Sequence, residues 1–180
     1  MPFQRELRDL AYVPRWSIVR VAKPQSVAEH SYYTAMYAYQ VANLIEWKGD
    51  RYTLLLMALW HDVEECFTGD IPGPVKHRLI GIQANDMICA MMNARFGSEW
   101  SYFPPDGSAQ IIKVASLIDD AMFLAGEIQR GNGACQAAWM HVMPRLQKAW
   151  TEMEPGCKKL SVVTDAIMRE TYTHSTEPDK

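Results

Sequence analysis

Residues 54–76 read LLLMALWHDVEECFTGDIPGPVK, and the rest of the chain takes its meaning from them. Leu54, Ala58, His61, Asp62 and Glu65 fall at i, i+4, i+7, i+8 and i+11, which is one stripe of an α-helix. The stripe begins apolar and ends in an imidazole and two carboxylates. Burying such groups without partners costs several kcal/mol. A divalent metal would compensate all three together. Asp50 caps this predicted helix, which carries His61, Asp62 and Glu65 and stops at Gly69. In the turn that follows, Asp70 to Pro74, two prolines flank a glycine, a stiff connection suited to holding Lys76 in place. Alone, Lys76 would read as a surface lysine.

Upstream, Ser26-Val27-Ala28-Glu29 has the capping-box pattern, so a helix starts just after Ser26 with His30 in its first turn. Positions 30, 33, 34, 37, 41 and 44 (His, Tyr, Thr, Tyr, Val, Leu) form its predicted inward face. A lone histidine there reads as a satisfied core residue. Set against a second helix that also turns His61 and Asp62 inward, it reads as a ligand. Before it lie a short amphipathic segment, Gln4 to Tyr12, and an extended connection from Arg15 to Arg20. In that connection an arginine adjoins a tryptophan. Indole faces take bases or cations, although Trp16 could equally anchor the loop to the core.

Downstream, a helix is predicted over Gln83 to Phe96, ended by Gly97, and a loop over Tyr102 to Gly107. Ser108 to Gln129 is the longest periodic segment, with Ile112, Ala115, Ser116, Asp119, Phe123 and Gly126 on one face. Asp119 is thereby buried, while Asp120 shares its stripe with Lys113 and Glu127 and is expected in solvent. Gly131-Asn132-Gly133 breaks the pattern. Helices over Gln136 to Trp150, kinked or interrupted at Pro144, and over Lys159 to Thr171 complete the chain before a frayed tail. With no alternating strand pattern, the expected fold is all-α, a single domain over 1–180 with a motif region of about 15–131 and helices of 134–173 packed on it.

Composition narrows the function. Apolar residues are 48% of the 180, charged residues 22%, and the formal net charge is −3, so nothing pulls the chain towards a nucleic acid backbone. The apolar runs are shorter than the roughly 20 residues of a membrane span, and MPFQRELRDL is not a secretory signal. The expectation is a cytoplasmic protein with no membrane partner. Cys66, Cys89, Cys135 and Cys157 contain no CxxC pair, which argues against a zinc ribbon or a disulfide framework.

Three helices thus offer inward donors: His30, then His61 with Asp62, then Asp119. Two imidazoles and two carboxylates suit Zn²⁺, Mn²⁺, Co²⁺ or Fe²⁺ better than the all-oxygen shells of Ca²⁺ or Mg²⁺. Such an ion acidifies water towards a pKa of about 7, which serves phosphoester hydrolysis.

The pattern H…HD…D, together with RWSIVR, VAEHS, LWHDVEECFTGDIPGPVK and a later aspartate helix in that order, resembles the HD-domain metal-dependent phosphohydrolases. It is most similar to the compact 5′-deoxynucleotidase branch, and within it to small phage dATP triphosphohydrolases. The resemblance implies a metal held by His30, His61, Asp62 and an aspartate of the Ser108 to Gln129 helix, with Glu65 as the catalytic carboxylate. It further implies phosphate contacts from Arg15 and Lys76, walls around base and sugar from Trp16, Ile18 and Pro74, and a homo-oligomer, a dimer or a larger ring such as a hexamer. Many relatives carry the last ligand as Asp in an Ala-Asp pair. Here Ser116 stands at that place after Ala115, and Asp119, one turn further on the same face, is expected to replace it.

The implied reaction is attack of activated water on the α-phosphorus of a 2′-deoxynucleotide. Arg20, Lys23, Lys76 and Arg78 flank the site in sequence and favour a triphosphate, and the resemblance implies adenine as the base, so that dATP is split into deoxyadenosine and triphosphate. The alternative is a 5′-deoxynucleotidase releasing orthophosphate from a dNMP. A non-catalytic nucleotide sensor would have lost one of His61, Asp62 or Glu65, and all are present.

Overall fold

The computed structural model describes residues 5–72, 90–95, 97, 107–153 and 159–172, with side chains through 169 in the last segment. The fold is all-α. A 3-10 turn, Arg5–Ala11, leads to α1 (Val27–Leu44), α2 (Arg51–Trp60), the single turn α3 (Glu65–Thr68), α4 (Ser108–Gln129), a 3-10 turn at Gly133–Cys135, α5 (Gln136–Met153) and α6 (Leu160–Tyr172). Residues 90–95 are also helical, the described part of the helix expected over Gln83 to Phe96. Among the described residues no helix is long and apolar enough to cross a membrane.

Helix α4 is the axis. It packs against α1, α5, α6 and the end of α2, and 13 of its 22 residues are buried, so it presents little solvent face along its middle. Ile111, Val114, Ala115, Ala121, Leu124 and Ala125 all lie in the central cluster with Ala38 and Val41 of α1 and Leu146 and Trp150 of α5. That wrapping corrects one expectation. Asp120, expected in solvent, is buried, and so is Glu127 from the same stripe.

The helix starts follow local chemistry. Ser26 Oγ accepts the Glu29 N–H at 3.1 Å, and Glu29 Oε2 accepts the Ser26 N–H at 2.7 Å, closing the capping box. Asp50 accepts the N–H groups of Tyr52 and Thr53 at the head of α2. The inward face of α1 holds for His30, Thr34 and Val41 but not for Tyr33, which is 45% exposed, because the packed face is centred one residue on, over Ser31, Ala35, Ala38 and Ala42.

Helix α2 ends earlier than the periodicity suggests. It stops at Trp60, and the chain tightens through bonds from Val63 N–H to Trp60 O and from Glu65 N–H to Asp62 O before α3. His61 Nδ1 donates to Ala58 O at 2.7 Å, competing for the carbonyl that the Asp62 N–H would take in a continuing helix. Gly69, at φ 70°, ends α3 in the left-handed region, where the sequence put the stop. Helix α5 runs through Pro144 without interruption.

The connection 14–25 crosses α4. It is pinched at its base by an antiparallel bridge between Pro14 and Ser26, with Arg15 N–H on Gln25 O at 2.8 Å and Val27 N–H on Val13 O at 3.0 Å. This clasp brings Arg15 and Gln25 over the acidic middle of α4.

Candidate metal centre

Helix α1 places His30 in its first turn, fully buried, and the tight turn after α2 places His61 and Asp62 opposite it. Asp62 Oδ2 lies 3.1 Å from His61 Nε2 and 3.6 Å from His30 Nε2, and the two rings are 5.2 Å apart between centroids. One donor atom from each of the three falls within 4.8 Å of the others. Ligands about 2.0–2.2 Å from a common ion stand roughly 3.0–3.5 Å from each other, so the two separations to Asp62 fit a shared cation.

The outer partners fix both tautomers. His30 Nδ1 donates to Asp119 Oδ2 at 2.6 Å and His61 Nδ1 to Ala58 O, which turns each Nε2 towards Asp62. His61 Nε2 is buried and receives no hydrogen bond among the described residues. With the Asp62 carboxylate 3.1 Å away, that nitrogen either holds a proton or binds a cation, and a metal ion would satisfy both groups together. The donors therefore fit a divalent metal, the cofactor of this protein.

Charge follows the same logic. Burial drives the His30 pKa down to about 3, and Arg15 adds to the effect, so the ring is neutral. Burial acts the same way on His61, but Asp62 and the Ala58 carbonyl outweigh it and hold that pKa above its ordinary value. Asp62 in turn sits well below the usual carboxylate range, its burial outweighed by His61, His30 and Arg15. The attraction that keeps a proton between them is the one a cation would satisfy.

Of the other expected residues, Arg15, Trp16, Ile18 and Glu65 are described. Glu65 is buried at the first position of α3. Arg15 is nearly enclosed, its Nη2 3.0 Å from Asp120 and its Nη1 3.1 Å from Gln25 Oε1 and 3.9 Å from Asp119. Four acids, Asp120, Asp62, Asp70 and Asp119, outweigh its burial and raise its pKa. Trp16 stacks on Phe123 with ring planes 3° apart and donates its backbone N–H to Asp70 at 3.3 Å. Ile18 is 67% exposed. Pro74 and Lys76 lie outside the described residues.

Sequence reasoning missed Gln25 and Asp120. Gln25 Nε2 donates to Asp119 Oδ2 at 2.8 Å while its Oε1 accepts from Arg15, so it joins the two. No local pattern marks a glutamine one residue before a helix cap. Asp119 and Asp120 form a second group with His30. Burial raises Asp119 to about 6, against the pull of Gln25 and Arg15.

A 5′-deoxynucleotidase of Vibrio parahaemolyticus is 29% identical over 172 residues, covering 84% of this chain and 88% of that one. The dATP triphosphohydrolase of Salmonella phage PMBT28 is 40% identical over 85 residues, 40% of this chain and 41% of its own. Among solved structures, the cyanophage S-2L HD phosphohydrolase DatZ, bound to dA and one catalytic Zn²⁺ ion, matches with a TM-score of 0.68 at 17% identity over 95% of both chains. A Pyrococcus horikoshii protein, PH0347, matches at 0.70 and 20% identity over 92% of this chain and 96% of its own. At those identities the likeness establishes the fold. The 5′-deoxynucleotidase YfbR-like family matches residues 2–155, most of the chain, and the protein belongs to that family.

Proposed function

We propose that the protein is a metal-dependent 5′-deoxynucleotidase, hydrolysing a 2′-deoxynucleoside 5′-monophosphate to the deoxynucleoside and orthophosphate. The observation that carries this reading is the convergence of His30, His61 and Asp62 on one point in a chain whose family match spans residues 2–155. It reverses the order reached from the sequence, where dATP came first. The Vibrio nucleotidase aligns with 84% of the chain, against 40% for the phage triphosphohydrolase, and further nucleotidases match as well.

A divalent ion held by His30, His61 and Asp62 supplies, when bound, acidified water and positive charge beside the phosphate. Glu65 takes the proton of the attacking water as its oxygen bonds to phosphorus, then returns it to the 5′ oxygen as the P–O bond breaks. Arg15, with Lys76, neutralises charge gathering on the phosphate oxygens. Its ion pair with Asp120 holds the guanidinium at the site before substrate arrives. Trp16, Ile18 and Pro74 line the base and sugar.

A second reading, triphosphate release from dATP, draws on the 85-residue stretch shared with the phage enzyme. Incubating the protein with each dNMP and dNTP plus Mn²⁺ or Co²⁺, and resolving products by ion-exchange chromatography, separates the two. Orthophosphate from dNMPs with dNTPs untouched is expected. Triphosphate from dATP, with dNMPs untouched, would replace the first reading with the second. The resemblance also implies a homo-oligomer, which light scattering reads directly.

A further inference from the structure

We infer that the metal centre of this chain has three charged or imidazole ligands, His30, His61 and Asp62, that the neutral Ser116 hydroxyl faces it where a fourth would stand, and that Asp119 is a positioning residue acting through His30. The inference rests on the metal-dependent reading above and goes further by assigning the fourth position.

The two nitrogens of an imidazole point away from each other across the ring. His30 Nε2 faces Asp62 at 3.6 Å and Ser116 Oγ at 3.3 Å, with Thr34 Oγ1 at 3.5 Å. His30 Nδ1 faces Asp119 at 2.6 Å. Ser116 is therefore on the ion's side of the ring and Asp119 on the other. Asp119 groups with His30 and Asp120, not with His61 and Asp62, whose donors meet at the opposite nitrogen. Its Oδ2 already accepts from His30 Nδ1 and from Gln25 Nε2 at 2.8 Å, which uses both lone pairs of that oxygen. This is the outer-partner arrangement that orients a ligating histidine and raises its basicity.

The charge balance follows. With one carboxylate at the ion instead of two, a bound dication keeps a net positive charge and an open or weakly held position. That position suits a substrate phosphate oxygen or a water, at the expense of affinity for the ion itself.

Co²⁺ titration followed by visible absorption tests this, since the ligand-field bands report both occupancy and the donor set. The parent is expected to take up one ion per chain. Asp119→Asn should bind about 10–100-fold more weakly with the parent's band shape, the usual loss for an outer partner. Ser116→Asp should bind at least tenfold more tightly and with a changed band shape, because a carboxylate now enters the shell. Circular dichroism on each variant checks the fold, and Ser116→Asp stands alone if Asp119→Asn does not fold. The inference is overturned if folded Asp119→Asn loses the ion altogether or changes the bands, or if Ser116→Asp alters neither affinity nor bands. His61→Ala and Asp62→Asn are the separate controls: Co²⁺ uptake undiminished in both would sink the metal-centre reading itself.

Discussion

Helix α4 buries two carboxylates eight residues apart, Glu127 and Asp119, and they are used in opposite ways. Glu127 is 1% exposed and saturated: it accepts the Ala22 N–H at 2.6 Å, Asn132 Nδ2 at 2.6 Å and Arg130 at 2.9 Å. Those donors outweigh its burial and hold its pKa below the ordinary value. Asp119 is almost as buried, yet its pKa is raised to about 6, because burial wins over Gln25 and Arg15. Its principal partner is a neutral imidazole whose other edge looks onto two more ligands. The first acid is a clip that fastens the connection 14–25 to α4. The second is an outer support for chemistry. Burial alone does not separate them; the company of the partner does.

The largest effect that would sharpen this contrast is on metal retention. Asp62→Ala is expected to leave the protein without bound metal after gel filtration, read by elemental analysis, whereas Glu65→Ala keeps the metal and loses about 10²–10⁴-fold in turnover. Parent-level turnover in the Glu65 variant would remove that residue from the proton path.

Next in size is the clip. Glu127→Ala strands the Ala22 N–H and the Asn132 amide, and is expected to lower unfolding free energy in urea by about 2–4 kcal/mol while the folded fraction still takes up metal. Asp119→Asn should show the reverse pattern, weaker metal uptake with a smaller shift in the urea midpoint. Equal losses of both properties in both variants would erase the distinction drawn here.

The clip also has a pH signature. A carboxylate with a depressed native pKa adds stability that is fully present above its unfolded value, near 4.3, and is lost as pH falls through the native value. Glu127→Gln should therefore flatten the acid limb of the stability curve below about pH 4.3. An unchanged limb would mean that Glu127 contributes no linkage. Smallest is the capping box: Ser26→Ala should cost about 1 kcal/mol in the same urea measurement, with metal affinity little changed.

Much of this was readable in the sequence because it is local. Ser26 and Asp50 cap their own helices, and the inward aim of His30 and Asp119 follows from a 3.6-residue period. What was not readable is long-range. Periodicity assigns each helix one wet face, but α4 is enclosed by several neighbours and by the connection 14–25, so Asp120 and Glu127 are covered by residues about a hundred positions away. The break after Trp60 was hidden too, since the stripe through His61, Asp62 and Glu65 looks continuous until the His61 ring reaches back to Ala58 O.

Gln25 sets a chemical polarity that admits little variation. Its amide touches a cation with its oxygen and an anion with its nitrogen, the acceptor end at Arg15 and the donor end at Asp119. A glutamate would press like charge against Asp119, and an arginine or lysine would repel Arg15. Only an uncharged side chain of this length, with a donor and an acceptor at its tip, can sit between the two without one of them turning away.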